Sequence, residues 1–238
     1  PWADTSGPAG FPFDLLTGST PRWVEAGAVA AVWADSGDIW SREDACFFRG
    51  HQFDADDADR TYVFAISGPN SHTENWTKGG VAARESAAPG AAYFGVFRPG
   101  TGSGLRVQYR QEAGHTTTVL DRHIGSRWRF GSHFDQDTLV FVKLRVSDGG
   151  RRARGYGSVD GRRWTELGDV RFDTPLLWQG LAVSAHDQGR GAKYLFVPRH
   201  RGRSLPFDRD VPMPSGATRG WYDDEGTKRW RVDRFGRR

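Results

Sequence analysis

Several stretches of this chain set long polar side chains at alternate positions, and their types suit anion binding and proton transfer. Arg84, Gln108, Arg110, Lys143, Arg145, Tyr156 and His186 fall opposite the apolar positions of their stretches. Arginine holds a carboxylate or sulfate through paired hydrogen bonds. A lyase on a uronic acid needs that carboxylate neutralised, a base for the C5 proton and an acid at the leaving oxygen. Arg or Gln, His and Tyr suit those three jobs. The candidate catalytic residues are therefore His186, Tyr109 and Tyr156, with Arg84, Gln108, Arg110, Lys143 and Arg145 binding substrate. A non-catalytic glycan-binding face would use the same residues, and ordinary solvated strands on two different sheets would show the same alternation. Trp76 and Trp128 stand in polar surroundings, where an indole can stack on a sugar ring, and join the substrate-binding set.

Other chemistries are more weakly encoded. Glycoside hydrolysis needs two carboxylates about 5–9.5 Å apart, and Glu85 and Glu112 are the candidates near strands. His115, His123 and His133 could seed a metal site, although scattered histidines in a polar loop usually face solvent. Asp54, Asp56, Asp57 and Asp59 crowd enough oxygen for Ca²⁺ but lack the glycine and terminal glutamate of an EF-hand loop, so a solvated turn is the alternative. No other cofactor is expected. The lone Cys46, beside Phe47 and Phe48, cannot form an internal disulfide and reads as a buried thiol.

The elements that must position these residues are strands. Period-two alternation bounded by turn residues runs through 61–66, 79–85, 92–98, 105–111, 139–146, 153–159, 181–185 and 193–198. Leu105, Val107 and Tyr109 face one way and Arg106, Gln108 and Arg110 the other; Val140, Val142, Leu144 and Val146 share a face opposite Lys143 and Arg145. Asp148-Gly149-Gly150 and Asp160-Gly161 mark hairpin turns. No helical period of useful length appears. Many short strands at regular spacing predict an all-β, two-sheet antiparallel sandwich of jelly-roll type, whose concave sheet is the natural place for a glycan groove.

We divide the 238 residues into an extended leader (1–22), the sandwich (23–198) and an irregular arm (199–238) docked by its aromatics. The sequence pI near 9.5 suggests nucleic acid until the charge is partitioned. Residues 1–198 carry a net −1 and the arm +5, so the basic excess is local and a nucleic-acid partner is not favoured. No apolar run nears the ~20 residues of a membrane span. The expected partner is a polysaccharide or oligosaccharide. A start at Pro1 suits either a processed secreted protein or a trimmed chain, and a secreted or extracytoplasmic location is expected.

Five motifs in order carry a resemblance. Gly37-Asp38-Ile39-Trp40 with Asp44 and Phe47 is the first, followed by Lys78-Gly79-Gly80-Val81-Ala82-Ala83-Arg84-Glu85-Ser86 and Val107-Gln108-Tyr109-Arg110. Ser158-Val159-Asp160-Gly161 with Trp164, and Gly180-Leu181-Ala182-Val183 through His186, complete the set over about 35–197. Together they resemble a bacterial family of concanavalin A-like sandwiches of the regulation-of-enolase-like type. That resemblance implies a two-sheet jelly roll often attached to, or acting as, a carbohydrate-active module, and implies no particular reaction. The Glu-x-Asp-x-x-Glu strand of related jelly-roll glucanases is absent. Residues 112–138 and the arm lie outside the family's pattern. The expected function is a secreted module binding polysaccharide on its concave sheet; the alternative is an enzyme, foremost a lyase on an acidic glycan.

Overall fold

A computed structural model describes residues 30–34, 36–69, 76–100, 104–120, 139–186 and 191–197 in full, together with the backbone of 12–14, 22–26, 29, 198, 217–222 and 228–232. With strands numbered in chain order, the front sheet has the spatial order β1 (Pro12–Asp14), β6 (Phe47–Gln52), β15 (Trp178–Ser184), β8 (Lys78–Arg84), β9 (Tyr93–Pro99), β10 (Arg106–Arg110) and β11 (Thr118–Leu120). The back sheet runs β14 (Thr165–Arg171), β13 (Arg152–Ser158), β12 (Val140–Ser147), β7 (Thr61–Ser67), β16 (Ala192–Pro198), β3 (Val29–Ala34) and β2 (Arg22–Ala26). Every neighbouring pair is antiparallel. Among the described residues the only helix is a single 3-10 turn at Ala55–Asp57, and none is long and apolar enough to cross a membrane.

The core lies between the sheets, where alternate residues of both meet. Val81, Ala83, Phe94, Val96, Val107, Leu181 and Val183 of the front sheet pack on Phe64, Ile66, Val142, Leu144, Val146, Tyr194 and Phe196 of the back. Val107, Val142, Leu144, Val146, Leu181 and Val183 are among the apolar positions that the alternation set on one face of their strands. Asp148, Gly149 and Gly150 all take positive φ where β12 turns into β13, which explains that turn's composition.

Eight strands match the alternation to within a few residues at either end. The strand at 47–52 was not anticipated, because Phe47-Phe48-Arg49-Gly50-His51-Gln52 does not alternate in polarity. Within the leader, Pro12–Asp14 pairs with β6 at the edge of the front sheet. The arm, expected to be irregular, contains an antiparallel pair, β17 (Ala217–Tyr222) with β18 (Lys228–Val232). Docking of the arm on the sandwich lies outside the described residues.

The last structural element decides what the front sheet can do. A short hairpin, β4 (Ile39–Trp40) and β5 (Glu43–Asp44), lies across the outer face of the front sheet. Ile39 and Cys46 pack there on Phe48, Ala82, Tyr93, Phe97 and Ala182, forming a second small core. As a result β8 and β9 are buried at every position, on both faces.

Candidate functional site

Along β8 the outward residues begin at Lys78 and end at Arg84, about 20 Å apart at the rise of a strand. The hairpin over this face is fastened at each end by charge.

At the far end Asp44 is the fastening. Its carboxylate accepts from Arg84 Nη1 at 2.6 Å, and from Arg110 Nη1 at 3.1 Å and Nη2 at 2.7 Å. Arg110 also donates to the carbonyl oxygens of Ser41, Pro89, Ala91 and His115, and Arg84 to those of Ser86 and Ala88. Arg84 is 2% exposed and Arg110 fully buried. Both were expected to hold a substrate carboxylate, and this is corrected: they hold one of the protein's own, beneath the hairpin and out of reach of a polymer. Gln108 lies between Arg106 and Arg110 on β10, 1% exposed, and among the described residues its Oε1 has no hydrogen-bond partner. That burial also removes it as a residue that touches a glycan.

The near end is different. The Lys78 ammonium is paired with Asp38 Oδ1 and donates to the Trp76 carbonyl at 3.0 Å. Burial lowers the Lys78 pKa, and Asp38 works against that shift. His186 follows β15, with its Nε2 3.8 Å from Asp38 Oδ2. The backbone N–H groups of Ala185 and His186 bond to the Ser36 and Gly37 carbonyls, and His186 takes φ +67, a strained value for a residue with a Cβ. Ser184 is the cross-strand partner of Lys78, and among the described residues its buried Oγ has no hydrogen-bond partner. Arg106 begins β10 on the same face, with its guanidinium carbon 5.3 Å from the centroid of the Trp76 ring. Trp76 is 50% exposed, as its polar surroundings suggested. Trp40, on the hairpin, is 44% exposed and was not singled out.

The remaining expected residues are dispersed. Lys143, Arg145 and Tyr156 lie on the back sheet, facing away from the core, so they cannot share a cleft with His186. The Lys143 ammonium sits 4.2 Å from the Tyr156 ring centroid and 4.4 Å from that of Trp164. Tyr109 points inward and packs against the main core. The lyase constellation is therefore not assembled: His186, Tyr109 and Tyr156 occupy three separate places, and Arg84 and Arg110 sit at the opposite end of the sheet from His186. Glu85 accepts the Ala92 N–H, and Glu112 lies at an exposed turn 3.4 Å from His115. Trp128, His123 and His133 lie outside the described residues.

The four aspartates of the calcium expectation do not share one centre. Asp57 is paired with Arg60, Asp59 accepts the Gly149 N–H, and Asp54 precedes the 3-10 turn. Among the described residues no three His, Cys, Asp or Glu side chains converge as a metal site requires. The Asp160 carboxylate has a structural task, accepting the N–H groups of Arg162 and Arg163 and the Ser158 hydroxyl, which lowers its pKa despite partial burial.

Sequence reasoning passed over Asp38, Lys78 and Arg106. Arg106 was legible, since the alternation had already set it on the face of Gln108 and Arg110. Asp38 was not, because nothing local marks a hairpin residue that reaches a strand 40 residues on.

No family model matches the chain, and no curated protein does. The family resemblance therefore rests on the five motifs alone. Among solved structures the chain is similar to a functionally unknown protein from Saccharomyces cerevisiae, at 17% identity and TM-score 0.51, covering 78% of this chain and 95% of that one. It is also similar to the GH43 protein BlXynB of Bacillus licheniformis, at 14% identity and TM-score 0.49, covering 74% of this chain but only 33% of the other. The lectin I of Ulex europaeus aligns at 8% identity and TM-score 0.39, over 79% and 96%. The similarity to the yeast structure is one of fold, and the fold is a two-sheet antiparallel β-sandwich of jelly-roll type.

Proposed function

We propose that this chain is a carbohydrate-interacting jelly-roll module that binds a polysaccharide without cleaving it, and does so outside the cytoplasm, where such polymers are met. The sugar contact is the rim of the front sheet around Trp76, not the middle of that sheet, which the hairpin closes. The observation that carries this reading is Trp76 itself. It is a half-exposed indole beside a cluster of polar groups, Arg106, Asp38 and His186. An indole offers an apolar face to the C–H groups of a sugar ring, while neighbouring polar groups take its hydroxyls.

The test is affinity electrophoresis against a panel of neutral and acidic polysaccharides, with reducing ends and absorbance near 235 nm followed in parallel. The wild-type chain should be retarded by at least one polymer and release no product from any. Trp76→Ala should weaken that retardation about tenfold, the scale of one stacked aromatic contact. Product from any polymer, or unchanged binding by Trp76→Ala, would overturn the proposal.

A further inference from the structure

The Trp76 rim has a charge left over. Lys78 is buried and neutralised by Asp38, so neither has a free charge to offer a ligand. Arg106 differs from both. It is half-buried, and its guanidinium rests on the Trp76 ring. Among the described residues its guanidinium makes no hydrogen bond or ion pair with any protein acceptor. Of the arginines on the outer face of the front sheet, Arg84 and Arg110 spend their donors on Asp44 and backbone carbonyls, whereas Arg106 keeps its donors. A cation–π contact with an aromatic face holds a guanidinium in place without using its N–H donors, which stay free for a planar, two-pronged acceptor. That is the geometry in which arginine meets a carboxylate or sulfate through two parallel hydrogen bonds.

We infer that Arg106 is the anion-recognition residue of this rim, taking the carboxylate or sulfate of an acidic sugar whose ring lies against Trp76. The inference rests on the carbohydrate reading above and narrows its ligand to acidic glycans. It moves the anion contact from the buried pair Arg84 and Arg110 to the first residue of β10, on the same strand face.

The experiment compares the full chain with Arg106→Gln, Trp76→Ala and Arg151→Gln. Arg151 is an exposed arginine in the turn between β12 and β13, so its replacement removes the same charge from a remote place. Titrations use polygalacturonate and alginate for carboxylate, dextran sulfate for sulfate, and dextran and a neutral arabinan as uncharged polymers. Arg106→Gln should lose about tenfold or more on the acidic polymer that wild type prefers, the scale of a charged hydrogen-bond pair. It should stay within about twofold of wild type on neutral polymers, while Trp76→Ala weakens on both. Arg151→Gln should match wild type throughout. A loss confined to dextran sulfate assigns the anion as sulfate, and one confined to the uronates assigns it as carboxylate. Equal losses in Arg106→Gln and Arg151→Gln would mean general polyanion attraction and overturn the inference, as would wild-type binding of neutral polymers with no preference for acidic ones. Absence of binding to every polymer by wild type would sink the carbohydrate reading itself.

Discussion

Arg84 and Arg110 share the carboxylate of Asp44, and all three side chains are removed from water. Taking an ion out of water costs several kcal/mol, and a buried pair recovers that only with good geometry and with its remaining donors satisfied. Both conditions hold here, because the guanidinium groups that face Asp44 also bond to carbonyls of the hairpin and the neighbouring turns. Removing the anion leaves two buried cations with only carbonyl oxygens to face. Asp44→Asn should therefore destabilise the fold by about 3–5 kcal/mol, the usual cost of breaking a buried pair, read from the midpoint of urea unfolding. A change below about 1 kcal/mol would mean that the carbonyls suffice and that Asp44 is not the fastening of the hairpin. The sequence made both arginines visible as outward strand residues, but not their partner. Asp44 lies 40 residues from one and 66 from the other, a distance that no local pattern spans.

The hairpin is the element that separates an open groove from a closed one, and its strands' partners carry the mark of it. A strand with one wet face alternates in polarity, whereas one covered on both faces reads as an apolar or small-residue run. Gly79-Gly80-Val81-Ala82-Ala83 and Tyr93-Phe94-Gly95-Val96-Phe97 are runs of the second kind, and both strands are buried throughout. The strands themselves were legible because their core faces repeat at period two; the hairpin was not, since two-residue strands carry no period. Small residues also fit the close approach of β6 to β15. Gly180 faces Gly50 across β15 and β6, and a Cβ there would run into the Arg49 carbonyl oxygen and the Gly50 Cα. Gly180→Ala should cost about 3 kcal/mol through forced displacement of the paired strand. Gly90→Ala, in the turn before β9 with its nearest contact at 3.4 Å, should stay within about 1 kcal/mol of wild type. Thermal unfolding of the two variants checks the contrast. Equal melting points would show that β6 and β15 can part at little cost, and that the front sheet is looser than its packing implies.

Across the whole molecule the two sheets close over aromatic side chains that also carry ionisable hydroxyls. Tyr194 lies in the main core, bonded to Thr77 and the Arg98 carbonyl; Tyr93 lies under the hairpin, bonded to Thr117; Tyr62 packs at the edge of the core. Burial raises the pKa of all three well above the ordinary tyrosine value, since the phenolate would lose its hydration. In the unfolded chain each ionises near pH 10. The folded state therefore holds these protons where the unfolded state releases them, so stability is intact below about pH 10 and falls as pH rises beyond it. Both layers, the main core and the hairpin core, contribute to this fall, which couples them in one observable. Absorbance near 295 nm should show the three tyrosines of raised pKa ionising only together with loss of the strand signal in circular dichroism. Tyr194→Phe should remove about a third of that late step, one of the three hydroxyls whose pKa is raised. If all six tyrosines ionise in a single step near pH 10 while the strand signal persists, water reaches both cores, and a front sheet sealed by its hairpin is wrong.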